Sequence, residues 1–185
     1  MKNEITARLE AMPVIAAVRE RFIQNALTSP CDVIFLLGGD ISTIGGHIKE
    51  AKLKGKFIFV HIDLTDGIGK DRSGIKFLAD LGADGIISTR SNLLKFAREQ
   101  GLVTVQRFFA YDSHGIEGIE EIVAAANPDF IEIMPGVIGK IIERFSNGKT
   151  PLISGGLIET KAEVTEALNC GAFAVSTGKQ ELWYM

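Results

Sequence analysis

Short apolar runs rich in Val, Ile and Phe recur along the chain, each followed by a Gly, Asp, Ser or Thr cluster and then by residues with helical spacing of their apolar positions. The runs predict strands over Pro13–Arg19, Val33–Gly38, Lys56–Leu64, Ala83–Thr89, Leu102–Phe109, Pro128–Pro135, Thr150–Gly155 and Ala172–Thr177. Several are continuously apolar, as parallel strands covered on both faces are. Helical spacing follows over Ile75–Leu81, Leu93–Gln100, Ile116–Ala126, Ile138–Phe145 and Ala162–Asn169, and Gly82, Gly101 and Gly171 stand where a left-handed C-cap is wanted. The repeat length of roughly 23 residues suits a strand, a turn and a three-turn helix.

Eight such units predict one domain over residues 1–185, a compact α/β protein of the (β/α)8 TIM-barrel class with a truncated last helix. A five-stranded flavodoxin-like sheet would leave three strands unplaced, and an open sheet of eight strands is the less common solution. The chain is short for a barrel, and after the last strand only Gly178–Met185 remain to close it. That thin cover over the seam between last and first strands predicts either a homodimer, formed over a leftover apolar patch around Trp183, or a Trp183 folded into its own barrel.

Composition narrows the function. With 185 residues, 46% hydrophobic, the chain suffices for one sizeable core, and its formal charge of −3 gives no basic excess of the kind that backbone-binding nucleic-acid proteins carry. No apolar run is long enough for a membrane span and the first residues lack a secretory pattern, so a cytoplasmic protein without membrane contact is expected. Cys31 and Cys170 have no CxxC spacing and are read as buried free thiols. Neither a Walker loop nor a dinucleotide fingerprint occurs, so no nucleotide or other cofactor is expected.

Phosphates in barrels often sit on backbone N–H groups of the loops after strands seven and eight. Here those loops read Ser154-Gly155-Gly156-Leu157 and Ser176-Thr177-Gly178, followed by the start of the last short helix and Lys179 as a nearby countercharge. Either loop alone reads as a tight turn. Together they predict a phosphate site at Gly155, Gly156, Ser176, Thr177 and Gly178. His61, Asp63, Gln106 and Glu132 end other strands and are candidate contacts for a ligand's hydroxyls, with Arg90 and Arg107 beside them. Asp63 and Glu132 can also be read as a general acid/base pair, or with His61 as a metal site, but a third well-placed ligand is missing. No lysine ends an inward strand face to form a Schiff base. Hence no catalytic residue and no metal is assigned. The alternative function kept open is a phospho-sugar isomerase, epimerase or lyase using Asp63 and Glu132.

Several phrases taken in order are more specific: Val14-Ile15-Ala16-Ala17-Val18, Phe35-Leu36-Leu37-Gly38-Gly39-Asp40-Ile41, His61-Ile62-Asp63-Leu64, Gly85-Ile86-Ile87-Ser88-Thr89 and Gln106-Arg107-Phe108-Phe109. Ile131-Glu132-Ile133-Met134-Pro135-Gly136, Gly155-Gly156-Leu157-Ile158, Val175-Ser176-Thr177 and Leu182-Trp183 complete the set. Through them the chain resembles the glycerol uptake operon antiterminator regulatory proteins over nearly its whole length. The resemblance implies a non-enzymatic regulator that senses glycerol 3-phosphate and acts on a leader mRNA to prevent early transcription termination. It assigns no RNA-binding residues. The nearest basic groups are Lys49, Lys52, Lys54 and Lys56 around the end of the second helix, where a helix C-terminus attracts cations, and Arg90, Lys95 and Arg98 on or beside the fourth.

Overall fold

In the computed structural model residues 1–185 are described, with Ser113 and His114 described as backbone only. Eight parallel strands close into a barrel: β1 Val14–Val18, β2 Val33–Leu36, β3 Phe57–His61, β4 Gly85–Ser88, β5 Val103–Phe109, β6 Phe130–Met134, β7 Leu152–Gly155 and β8 Ala174–Thr177. Each pairs with its neighbours in sequence. The ring closes where β1 meets β8, with Val14 opposite Val175 and Ala16 opposite Thr177. Every predicted run contains one of these strands.

The alternation of a strand divides the apolar residues between two layers. Ile15, Val33, Phe35, Phe57, Phe59, Val103, Val105, Phe130 and Ile153 fill the interior, while Ile34, Leu36, Ile58, Val60, Ile86, Ile131 and Val175 pack outward against the helices. Those helices are α2 Ile23–Thr28, α3 Ile44–Leu53, α4 Arg72–Asp80, α5 Ser91–Glu99, α6 Ser113–Ala126, α7 Gly139–Ser146 and α8 Lys161–Asn169. Gly82, Gly101 and Gly171 all adopt positive φ just past helix ends, as their spacing predicts.

Three helices lie outside the predicted helical ranges: α2, α3 and one that precedes the first strand. Helix α1, Lys2–Ala11, precedes the first strand and inserts Ile5 and Leu9 among Val33, Phe57 and Val103, closing the N-terminal end of the barrel. The ion pairs Lys2–Asp129 and Arg8–Asp32 tie it down. At the opposite end, two-residue strands Gly39–Asp40 and Thr65–Asp66 pair across the loops after β2 and β3.

The final segment is a single 3₁₀ turn, Gln180–Tyr184. Trp183 is fully buried and its Nε1 donates to the Thr177 carbonyl at 2.9 Å, with Leu182 buried beside it. The seam between β8 and β1 is therefore sealed from within by Leu182 and Trp183, while Tyr184 and Met185 of the same segment stay exposed. Cys31 is buried and Cys170 only half-buried, both as free thiols. Among the described residues no helix is long and apolar enough to cross a membrane, and no group of three potential ligands could hold a metal ion.

Candidate functional site

At the C-terminal mouth the inward faces change from apolar to polar. His61, two residues beyond Phe59 on β3, and Arg107, two beyond Val105 on β5, continue inward rows; Glu132 and Ser176 do the same on β6 and β8. Glu132 is completely buried. Its Oε2 accepts from Arg107 Nε at 2.6 Å and its Oε1 accepts from Ser176 Oγ at 2.6 Å. A carboxylate so deep needs these partners, since burying a bare charge is prohibitive.

Above this floor lies a cavity of about 130 Å³ bounded by Ala17, Leu37, Met134, Gly156, Leu157 and Gly178, with Arg107, Glu132 and Ser176 at its base. The loop after β7 is shaped for close approach. A Cβ on Gly155 would fall 2.5 Å from Ser176 Oγ and 2.6 Å from Glu132 Oε1, and one on Gly156 would fall 2.7 Å from Met134 Cε. Gly156 and Leu157 take successive positive φ values of 78° and 61°. A leucine in that region is held against its own steric preference, and Leu157 is also 69% exposed. Among the described residues the N–H groups of Gly156, Leu157 and Gly178 donate to no protein acceptor. Neither terminal nitrogen of Arg107 has a protein partner there; only Nε is bonded. These are the donors an anion needs.

Thr177 and Ile158 also line the cavity, but the Thr177 hydroxyl is already engaged: it donates to the Ile158 carbonyl at 2.8 Å and accepts from Lys179 N–H at 3.1 Å, so it ties the two loops together. At the start of the last helix that bond occupies the Lys179 N–H alone. Lys179 Nζ stays at the rim, 3.9 Å from Glu159. Gln106 points outward, because Val103, Val105 and Arg107 occupy the inward positions of β5; its Nε2 donates to Ser91 Oγ at 2.7 Å. The structure thus separates Gln106 from the cavity and puts Arg107 in its place. No alternation could have shown this, since both faces of β5 are buried from Val103 to Phe108.

His61 and Asp63 form a second polar group at the mouth. The chain leaves strand geometry after His61 for a 3₁₀ turn, Ile62–Leu64, which brings His61 Nδ1 to 3.9 Å from Asp63 Oδ2. Oδ2 accepts from Ser88 Oγ and Thr89 N–H, each at 2.9 Å. Arg90 Nε lies 3.4 Å from Oδ1, close enough for attraction but not aligned as a hydrogen bond. Burial, reinforced by the positive charge of Arg107, pushes His61 down to about 4, so the imidazole is neutral at pH 7. Among the described residues the buried side-chain atoms without a partner are His61 Nδ1 at the end of β3, Asp63 Oδ1 in the turn that follows it, and Gln106 Oε1 in the middle of β5. Larger grooves of about 610 and 560 Å³ open at the other end of the barrel, but none of these orphaned atoms lines them. Asp63 and Glu132, read together as a possible acid/base pair, sit in separate hydrogen-bonded sets.

A family model described as glycerol-3-phosphate responsive antiterminator matches residues 14–183. The chain belongs to that family. It is 40% identical over 181 residues to the uncharacterized protein YgcP of Escherichia coli strain K12, covering 95% of this chain and 93% of that one. The glycerol uptake operon antiterminator regulatory protein of Listeria monocytogenes superposes with a TM-score of 0.88 at 30% identity, over 93% of this chain and 95% of that one. A glycerol uptake operon antiterminator-related protein of Thermotoga maritima gives 0.84 at 34% identity, over 93% and 98%. Deoxyribose phosphate aldolase from Aeropyrum pernix, at 12% identity and a TM-score of 0.70, shows the shared barrel alone.

Proposed function

We propose that this chain is a cytoplasmic, non-enzymatic regulator that senses glycerol 3-phosphate at the C-terminal mouth of the barrel. In response it binds a leader mRNA and causes antitermination in glycerol-uptake genes. The observation that carries the ligand half is the set of free donors, the N–H groups of Gly156, Leu157 and Gly178 with the open end of Arg107, around one small cavity. The phosphate takes these donors, and Gly155 keeps the approach clear because any side chain there would strike Ser176 and Glu132. Ser176 holds the floor through Glu132. The glycerol hydroxyls reach Glu132 and the unpartnered atoms of His61 and Asp63, where a neutral imidazole and a carboxylate supply hydrogen bonds without a second positive charge.

Nothing in this arrangement needs turnover. Glu132 is fastened by Arg107 and Ser176, and Asp63 by Ser88 and Thr89, so both carboxylates serve as fixed acceptors. The RNA half rests on membership of an antiterminator family. Filter retention of the glycerol-operon leader, at two salt concentrations with and without glycerol 3-phosphate, tests sensing and RNA recognition together. Ligand-dependent retention is expected. Equal retention with and without ligand, or conversion of triose or pentose phosphates that Asp63→Asn abolishes, would refute the proposal.

A further inference from the structure

The sector of the barrel around β4 and β5 carries features that ligand binding leaves unused. Phe109 and Tyr111, in the segment leading from β5 into α6, stack with centroids 5.5 Å apart and planes 8° apart. Tyr111 is 82% exposed, so the pair presents a broad aromatic surface to water. A ring backed by a second ring is a rigid platform for another flat group. In the same sector, a groove of about 530 Å³ runs between α5 and α6, with Ser91, Asn92, Lys95 and Arg98 on one wall and Ile122, Ala125 and Ala126 on the other. Its lining holds two cations and no carboxylate, on a chain whose net charge is −3.

The two cations are placed differently. Arg98 is anchored, donating to the carbonyls of Ala126 and Asn127 at the end of α6. Lys95 is exposed and, among the described residues, has no ion-pair partner. Gly118, one turn before Ile122 on α6, leaves open space where a Cβ would stand. Groove and platform share a helix, because Tyr111 lies just before α6 and the C-terminal half of α6 forms one wall of the groove.

We infer that this sector binds single-stranded RNA, with bases stacked on Tyr111 and Phe109 and the phosphodiester backbone following the groove past Lys95 and Arg98. The assignment rests on the RNA half of the function proposed above and locates it. Base faces are available for stacking only where a strand is unpaired, in a loop, bulge or end, so the fitting partner is the unpaired part of a leader hairpin rather than its stem. The ligand site adjoins this surface through one ion pair. Asp63, at the mouth, lies 3.4 Å from Arg90 Nε at the head of α5, so a hydroxyl that engages Asp63 bears on the residue that precedes the helix forming one wall of the groove.

Tyr111→Ala and Lys95→Glu separate the possibilities, measured by fluorescence anisotropy on the labelled leader transcript of the glycerol-uptake operon with saturating glycerol 3-phosphate. Neither residue contacts the ligand cavity, so both variants should keep the wild-type melting temperature and its ligand-induced shift. Tyr111→Ala is expected to weaken RNA binding by about tenfold or more. Lys95→Glu is expected to weaken it and to lower the slope of log affinity against log salt by about 1. If wild type binds the leader and both variants bind within twofold of it, this sector is not the RNA surface, while the RNA function itself stands. If wild type binds no leader at all, the RNA function fails and this assignment falls with it. RNA binding preserved in both variants, together with a self-association that they abolish in sedimentation, would make the sector a protein interface and overturn the inference.

Discussion

Replacing Glu132 by glutamine removes one charge from the floor of the site and leaves the shape nearly unchanged. In the wild type Glu132 is 0% exposed and Arg107 only 5%, and their 2.6 Å contact is the guanidinium's one protein partner among the described residues. Removing one member of so buried a pair costs about 3–5 kcal/mol, because the other charge stays desolvated without compensation. The lower end applies here, since the pair borders a cavity that admits solvent and the amide still accepts from Ser176. For a domain of this size, about 3 kcal/mol corresponds to a melting temperature lower by roughly 6–12 °C.

The same change should alter ligand response. With its carboxylate gone, Arg107 has an anion as its natural partner, so inorganic phosphate should raise the melting temperature of Glu132→Gln more than that of wild type. A tenfold gain in phosphate affinity adds about 1.4 kcal/mol at saturating phosphate. Scanning calorimetry with and without millimolar phosphate measures both effects, and the double variant Arg107→Met/Glu132→Leu supplies the control. Removing both charges should recover most of the lost stability. A single variant that melts within 2 °C of wild type, or a double variant no better than the single, would show that the floor of the site is not organised around this pair.

Three further outcomes follow from the same structure. A free imidazole takes its proton near pH 6.5 and His61 only near 4, so between these values the unfolded chain binds more protons and acidification favours unfolding. Stability should fall by about 3 kcal/mol from pH 6.5 to pH 4, and denaturant titrations of His61→Gln should lack that part of the slope. Gly156→Asp places a side chain at φ 78° against Met134 and a negative charge in the anion cradle; it should abolish phosphate-induced stabilisation in a thermal-shift assay and destabilise the apo protein by roughly 1 kcal/mol or more. Trp183→Ala should cost about 3–5 kcal/mol in urea unfolding, since it opens the β1–β8 seam and strips the Thr177 carbonyl of its donor.

The barrel was readable from sequence because its strands are continuous apolar runs at regular spacing, and the loop after β7 stood out because adjacent glycines leave backbone without Cβ atoms. Helix α1 was not: with Ile5 and Leu9 alone buried, its apolar stripe is too narrow to stand out in Lys2–Ala11. The exchange of Gln106 for Arg107 has another cause. A barrel strand is buried on both faces, so neighbouring polar residues at its end carry no mark of which one looks inward. Thr177 illustrates a third limit, for its hydroxyl suits a phosphate and a loop-tying bond equally well, and only the structure shows it bonded to the Ile158 carbonyl.

The central claim, that glycerol 3-phosphate is held at the mouth of β7 and β8, is tested most directly by isothermal titration of glycerol 3-phosphate, glycerol and inorganic phosphate into the wild type and into Gly156→Asp. The account predicts one site per chain that binds glycerol 3-phosphate more tightly than either fragment, with no measurable binding of it to the folded variant. Glycerol 3-phosphate binding that is undetectable in the wild type, or equally tight in Gly156→Asp, would contradict it.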